Sequence, residues 1–158
     1  MANKNPVVSA KNRKALRNYT FVTKFIAGIK LHGYEVKAIR EGKANLEGSY
    51  VLVEDGQAQV FNLFIGKYSK YGESYSDQQA RRARQLLLTA DEIEKIRRSL
   101  QQKGKAAVPL SLLLQHNLVK LEVGIGVHAK KLDKKAVEKE QQKEREIDRE
   151  IKEHVRTL

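Results

Sequence analysis

Two runs near the end of the chain decide the fold: Leu110-Ser111-Leu112-Leu113-Leu114 and Val119-Lys120-Leu121-Glu122-Val123-Gly124-Ile125-Gly126-Val127. In the second, Val119, Leu121, Val123, Ile125 and Val127 alternate with Lys120, Glu122, Gly124 and Gly126, and His128 continues the polar set. Successive side chains of a strand point to opposite faces, so strict alternation predicts a sheet with one face on the core. Gln115-His116-Asn117 lies between the runs as a turn.

Further strand signals lie upstream. Tyr50-Val51-Leu52-Val53 and Gln59-Val60-Phe61-Asn62-Leu63 flank Glu54-Asp55-Gly56-Gln57. An Asp-Gly pair favours a hairpin, because glycine accepts positive φ. Tyr19 to Phe25 is rich in aromatic and β-branched residues and reads as another strand. One helix is well marked: Thr89 and Glu92 form a capping box, Ile93, Ile96 and Leu100 share a face, and Gly104 follows, which predicts a helix over Ala90–Lys103. Val36 to Arg40 is compatible with a short helix or a strand ending at Gly42, and Tyr68 to Gln79 reads as a polar, tyrosine-dotted loop. Short strands with one interrupting helix predict a mainly β, α+β protein. A small, partly open barrel of the oligonucleotide-binding type, with helices packed outside it, fits this order.

Three segments follow from composition. Residues 1–18 read as a flexible basic arm with little to bury, residues 19–128 as the barrel, and residues 129–158 as a charged tail. The tail places Ile147, Ile151, Val155 and Leu158 on a narrow apolar stripe. Such a helix is marginal alone and is expected to form along a partner.

Lys and Arg number 31 against 19 Asp and Glu, a net charge of +12. The tail holds 10 basic and 8 acidic residues, so a net +10 lies ahead of it. A field of this sign selects a polyanion, with nucleic acid ahead of an anionic membrane. There is no cysteine, which excludes disulfides and thiolate metal sites and suits a reducing interior. No apolar run approaches the roughly 20 residues of a membrane helix, and the first 17 residues lack the apolar core of a signal peptide. The expected setting is therefore the cytoplasm.

Catalytic chemistry finds little support. His32, His116, His128 and His154 are scattered, without metal-ligand spacing. Gly28 and Gly33 have phosphate-loop spacing, but Tyr34 stands where the loop needs lysine. Asp91, Glu92 and Glu94 suit a helix start better than a paired-acid site. No cofactor, metal or catalytic residue is expected. RNA-binding signals are clearer. Asn12-Arg13-Lys14 with Arg17 can contact phosphates and base edges. Arg81, Arg82 and Arg84 offer guanidinium forks, or form a solvated basic turn beside a buried strand. Tyr68, Tyr71 and Tyr75, interleaved with Lys67 and Lys70, can stack on unpaired bases, although a plain surface loop explains them as well. Glu35 stands out in a basic stretch, where it can orient a lysine, accept from a base amino group or face solvent.

Several segments, taken in order, resemble one family. They are Asn12-Arg13-Lys14-Ala15, Ala27-Gly28-Ile29, Gly33-Tyr34-Glu35-Val36-Lys37, Ile39-Arg40-Glu41-Gly42, Ala44-Asn45-Leu46, Ser49-Tyr50, Arg82-Ala83-Arg84-Gln85-Leu86-Leu87-Leu88, Val108-Pro109-Leu110, Lys120-Leu121-Glu122 and Asp133-Lys134-Lys135. From about Ser9 onward the chain is similar to the SsrA-binding protein family. That resemblance implies an oligonucleotide-binding barrel with flanking helices that binds the tRNA-like domain of transfer-messenger RNA near its elbow. It implies delivery of that RNA to stalled ribosomes, with the body replacing the missing anticodon stem. The tail would enter the empty mRNA channel and become helical there. Carried over residue by residue, it makes Asn12, Arg13, Lys14, Glu35, Lys37, Arg40, Asn45, Arg82 and Arg84 the RNA-binding set. Lys130, Lys131, Asp133, Lys134 and Lys135 become the ribosome-binding start of the tail, and a monomer is expected. His128-Ala129-Lys130 stands where the family usually has Lys-Gly-Lys, Lys135 where it has arginine, and Ala136 where it has a larger residue. A structural or ribosomal RNA-binding protein, sharing charge and fold without preference for one RNA, is the second reading.

Overall fold

The computed structural model describes residues 7–129. The helical reading of the tail, and with it Lys130, Lys131, Asp133, Lys134 and Lys135, lies outside the described residues. In chain order the elements are β1 (Val7–Lys11), α1 (Arg13–Asn18), β2 (Tyr19–Ile29), α2 (Gly33–Arg40), β3 (Ala44–Asn45), β4 (Tyr50–Glu54), β5 (Gln57–Phe61), β6 (Phe64–Ile65), α3 (Asp77–Ala80), β7 (Arg84–Leu87), α4 (Ala90–Leu100), β8 (Lys105–Gln115) and β9 (Leu118–His128).

The alternating run becomes β9, paired antiparallel with β8 from Lys105 opposite Val127 to Gln115 opposite Leu118. The connection is two residues, shorter than the three read from sequence, with His116 at φ 55°. Strand order is β1-β8-β4-β5-β7-β2-β9, and the further β8–β9 pairing closes the sheet into a ring, as an oligonucleotide-binding barrel requires. Val119, Leu121, Val123 and Ile125 face the core as predicted, whereas Val127 is 40% exposed. The opposite face of β9 is covered too. Gly124 and Gly126 are buried because the Phe21 ring lies against them. The core draws on strands all round the ring, with Ala27, Val60, Leu121 and Val123 fully buried in one cluster with Ile39 of α2 and Ile96 of α4.

The β4–β5 hairpin turns at Asp55 (φ 51°) and Gly56 (φ 74°), the pair expected to do so. Thr89 Oγ1 accepts from the Glu92 amide at 3.2 Å, and the Glu92 carboxylate accepts from the Thr89 amide at 3.1 Å. The capping box therefore forms as read. The helix stops at Leu100 rather than Lys103, because the amides of Gln101 and Gln102 turn to carbonyls three residues back. The open choice at Val36 to Arg40 resolves to helix. Glu35 accepts from the His32 amide at 2.8 Å and closes the first turn, and Gly42 (φ 78°) ends it.

The arm reading fails for residues 7–18. β4 meets β8 only at Val51 opposite Ala107, which leaves the rest of that edge open, and β1 fills it from Val7 opposite Leu114 to Lys11 opposite Ser111. Asn12 then caps α1. Its Oδ1 accepts from the Ala15 amide at 3.1 Å, and its Nδ2 donates to the carbonyls of Leu46 and Pro109. The local composition is indeed poor in core residues. What orders this segment is a free strand edge about a hundred residues away, which composition does not register. Among the described residues no helix is long and apolar enough to cross a membrane.

A Cβ at residue 126 would lie 2.8 Å from Phe21 Cδ1 and 3.2 Å from the Thr20 carbonyl oxygen. Gly126→Ala is therefore expected to destabilise the fold by about 1–3 kcal/mol through overpacking. Gly72→Ala, where no atom lies within 4 Å, should be near neutral. Urea unfolding midpoints compare the two.

Candidate nucleic-acid interface

At the centre of one side is an ionic lock. Glu35, on the first turn of α2, is fully buried. Its Oε2 accepts from Arg84 Nε at 2.6 Å and its Oε1 accepts from Arg82 Nη2. Arg84, also fully buried, donates to the carbonyls of Leu63 (2.6 Å), Arg82 (3.2 Å) and Ala80 (3.0 Å). One guanidinium thus ties α2, the β5–β6 connection, the end of α3 and the start of β7. Burial pushes the Glu35 carboxyl up, but Arg82, the His32 amide and Arg84 together outweigh it, so the group sits below the ordinary glutamate value.

Beside the lock lies an aromatic cluster. His32 stacks on Tyr34 at 5.3 Å, and Tyr34 meets Tyr71 at 4.8 Å and Tyr75 at 6.1 Å between centroids. Tyr75 donates its hydroxyl to the Ile65 carbonyl at 2.7 Å, and burial with the nearby Glu35 charge pushes its phenol up. Lys37 sits 5.4 Å over the Tyr68 ring. The tyrosine loop is therefore packed onto α2. His32, a scattered histidine in the sequence, and Tyr34, there only a departure from a phosphate loop, both belong to this cluster. The available signal was their position beside Glu35, one helical turn from Lys37.

The residues carried over as RNA-binding divide in two. Asn12, Glu35 and Arg84 are interior, 2%, 0% and 0% exposed, and act by holding backbone in place. The resemblance puts these three on RNA, whereas in the protein alone their polar groups are bonded within the fold. Arg13, Lys14, Lys37, Arg40 and Asn45 are exposed, and Arg82 is half-buried against Glu35. Arg13, Lys14 and Arg17 lie along α1 with no ion pair among the described residues. Arg40 donates to Asn117 Oδ1 at 3.0 Å and so joins α2 to the β8–β9 turn. Arg81 is held by Asp77, by Asn62 and by the Phe64 ring, a structural use of that arginine. Among the described residues no group of three or more His, Cys, Asp or Glu is placed to hold a metal ion.

A closed antiparallel barrel, carrying unneutralised cations on one helix and stacked rings beside basic residues on another, is built as an RNA-binding module. The comparisons sharpen this class. The chain belongs to the SsrA-binding protein family: the family model described as SmpB protein matches residues 9–153. The SsrA-binding protein of Halothermothrix orenii is 38% identical over 135 residues, covering 85% of this chain and 86% of that one. That of Parasynechococcus marenigrum is 40% identical over 129 residues, covering 82% and 77%. A solved structure described as "tmRNA-SmpB: a journey to the center of the bacterial ribosome" superposes with a TM-score of 0.65 at 33% identity, covering 81% of this chain and 92% of that one.

Breaking a buried pair leaves an uncompensated charge. Arg84→Met is therefore expected to cost about 3–5 kcal/mol, and Arg82→Met, whose side chain reaches solvent, much less. Because the Glu35 value is lowered on folding, its contribution is present above the ordinary glutamate range and is lost as pH falls through the folded value. Glu35→Gln should therefore flatten the acid limb of a stability–pH curve measured by urea unfolding.

Proposed function

We propose that this chain binds the tRNA-like domain of transfer-messenger RNA and delivers it to stalled ribosomes for trans-translation. The observation that carries the reading is the exposed cation set Arg13, Lys14 and Arg17, without an ion pair among the described residues, on a barrel whose family is established over residues 9–153. Lys37, Arg40, Asn45 and Arg82 extend the RNA-binding set, with the aromatic cluster available for unpaired bases. Asn12, Glu35 and Arg84 support it from inside. The protein acts by binding and positioning, with no covalent step of its own.

The C-terminal segment takes the second role, occupying the empty mRNA channel, with Lys130, Lys131, Asp133, Lys134 and Lys135 on ribosomal RNA. Its root supports this division of labour. The amide of Ala129 donates to the Asn18 carbonyl at 2.9 Å, so the segment starts from a fixed point beside the basic helix α1.

Titration of the tRNA-like domain against an equal-length tRNA, at two salt concentrations, tests the first role. Both should show a salt slope, since counterion release is sequence-independent. A preference for the tRNA-like domain that survives the higher salt is expected, and equal binding would reduce the protein to a general RNA-binding barrel. Truncation after Ala129 tests the second role. RNA binding should persist while tagging of stalled chains is lost, and retained tagging would remove the part given to the tail.

A further inference from the structure

A cleft of about 260 Å³ opens where α1 meets β4 and β8, away from the residues of the Glu35 lock. Ala15, Ala106 and Val108 give it an apolar lining, Tyr19 and Tyr50 supply ring surface, and Lys14 and Asn18 stand at its α1 side. Two polar side chains in the lining are already committed. Asn12 spends its amide on Leu46, Pro109 and Ala15, and Ser49 donates to the Leu46 carbonyl at 2.5 Å. The other four polar groups make no side-chain hydrogen bond among the described residues: the Lys14 ammonium, the Asn18 amide, and the phenols of Tyr19 and Tyr50. The rings are held from behind. Tyr50 stacks on Phe61 at 5.5 Å and 15°, and Tyr19 packs edge-on to His128 at 5.2 Å.

We propose that this cleft receives one unpaired nucleotide of a bound RNA, its base against Tyr50 and Tyr19 and its phosphate on Lys14. Apolar lining, pre-positioned rings, uncommitted donors and a cation make the chemistry of a single-stranded nucleotide site. The volume lies just below the roughly 300–1,000 Å³ of drug-sized pockets, which leaves room for one base. Arg13 and Arg17 on the same helix, also without ion pairs among the described residues, extend the anion field on either side of Lys14. The inference rests on the RNA-binding function proposed above and adds to it a particular site, and the nucleotide can come from transfer-messenger RNA or from ribosomal RNA.

The test compares the full chain with Tyr50→Leu and Lys14→Ala, using the tRNA-like domain in one arm and isolated small ribosomal subunits in the other. Tyr50 is 45% exposed, so leucine keeps its apolar contact while removing the stacking ring. Tyr50→Leu should weaken binding by about five- to a hundredfold at an unchanged salt slope. Lys14→Ala should lower the slope by about 0.7, the single-strand value for one phosphate contact. A loss in the first arm assigns the nucleotide to transfer-messenger RNA, and a loss confined to the second assigns it to ribosomal RNA. Unchanged affinity in both arms, with the variants folded, overturns the proposal. A wild-type protein that binds tRNA and the tRNA-like domain equally would remove the functional reading above. A Tyr50 effect on that shared binding would still uphold the cleft.

Discussion

The pair formed by Glu35 and Arg84 is the constraint on which one side of the molecule depends. Neither group reaches water, and a charge in that position is tolerated only when its lone pairs and protons are met. Here they are. The carboxylate accepts from two guanidinium groups and one amide, and Arg84 spends its remaining donors on three carbonyls. One carbonyl lies at Leu63 and two on the run from α3 into β7, while the carboxylate lies on α2, so satisfying the ions also fixes where α2, α3 and β7 stand. The aromatic cluster then follows. Tyr34 precedes Glu35 on α2, and Tyr75 is anchored at Ile65, in the strand after the Leu63 carbonyl that Arg84 holds.

A second constraint is closure. β8 serves three neighbours: β9 along its whole length, β4 at one end of its outer edge and β1 at the other. Pro109, which has no amide to donate, sits at the register shift of the β8–β9 ladder, where pairing is interrupted in any case. Asn12 stitches this corner by reaching both the Pro109 carbonyl and the Leu46 carbonyl. The start of the chain is therefore part of the barrel wall. The basic helix α1 is held at a fixed angle to β8, which is what gives the cleft beside it a definite shape.

The division of charge matches this architecture. Buried cations are neutralised inside the lock, and others pair on the surface, such as Arg97 and Arg98 with Glu94. The cations of α1 lack such partners among the described residues, so their field extends into solvent toward a polyanion. The root of the C-terminal segment lies beside the same helix, through Ala129 and Asn18. The basic helix α1 and the root of the C-terminal segment thus share one corner of the fold.

Much of this was legible in the chain. Alternation in β9, the Asp55-Gly56 turn and the Thr89–Glu92 box are local signals, because period, turn geometry and capping depend on residues within a few positions of one another. The charge excess and the ordered family segments pointed to RNA for the same reason: both are properties of the string. The roles of Asn12, Glu35 and Arg84 were not legible. As letters they look like RNA contacts, and only the packed structure shows them facing inward, with partners from 2 to 97 positions away. The ordering of β1, the gathering of His32 and Tyr34 with Tyr71 and Tyr75, and the cleft beside α1 were likewise set by tertiary structure. Sequence alone determined the alternating strand β9, the Asp55-Gly56 turn, the Thr89–Glu92 cap and the sign of the field. Which polar residues are spent inside and which remain free for a ligand was decided by chain closure, since burial and hydrogen-bond partnership are properties of a place in the fold and not of a residue type.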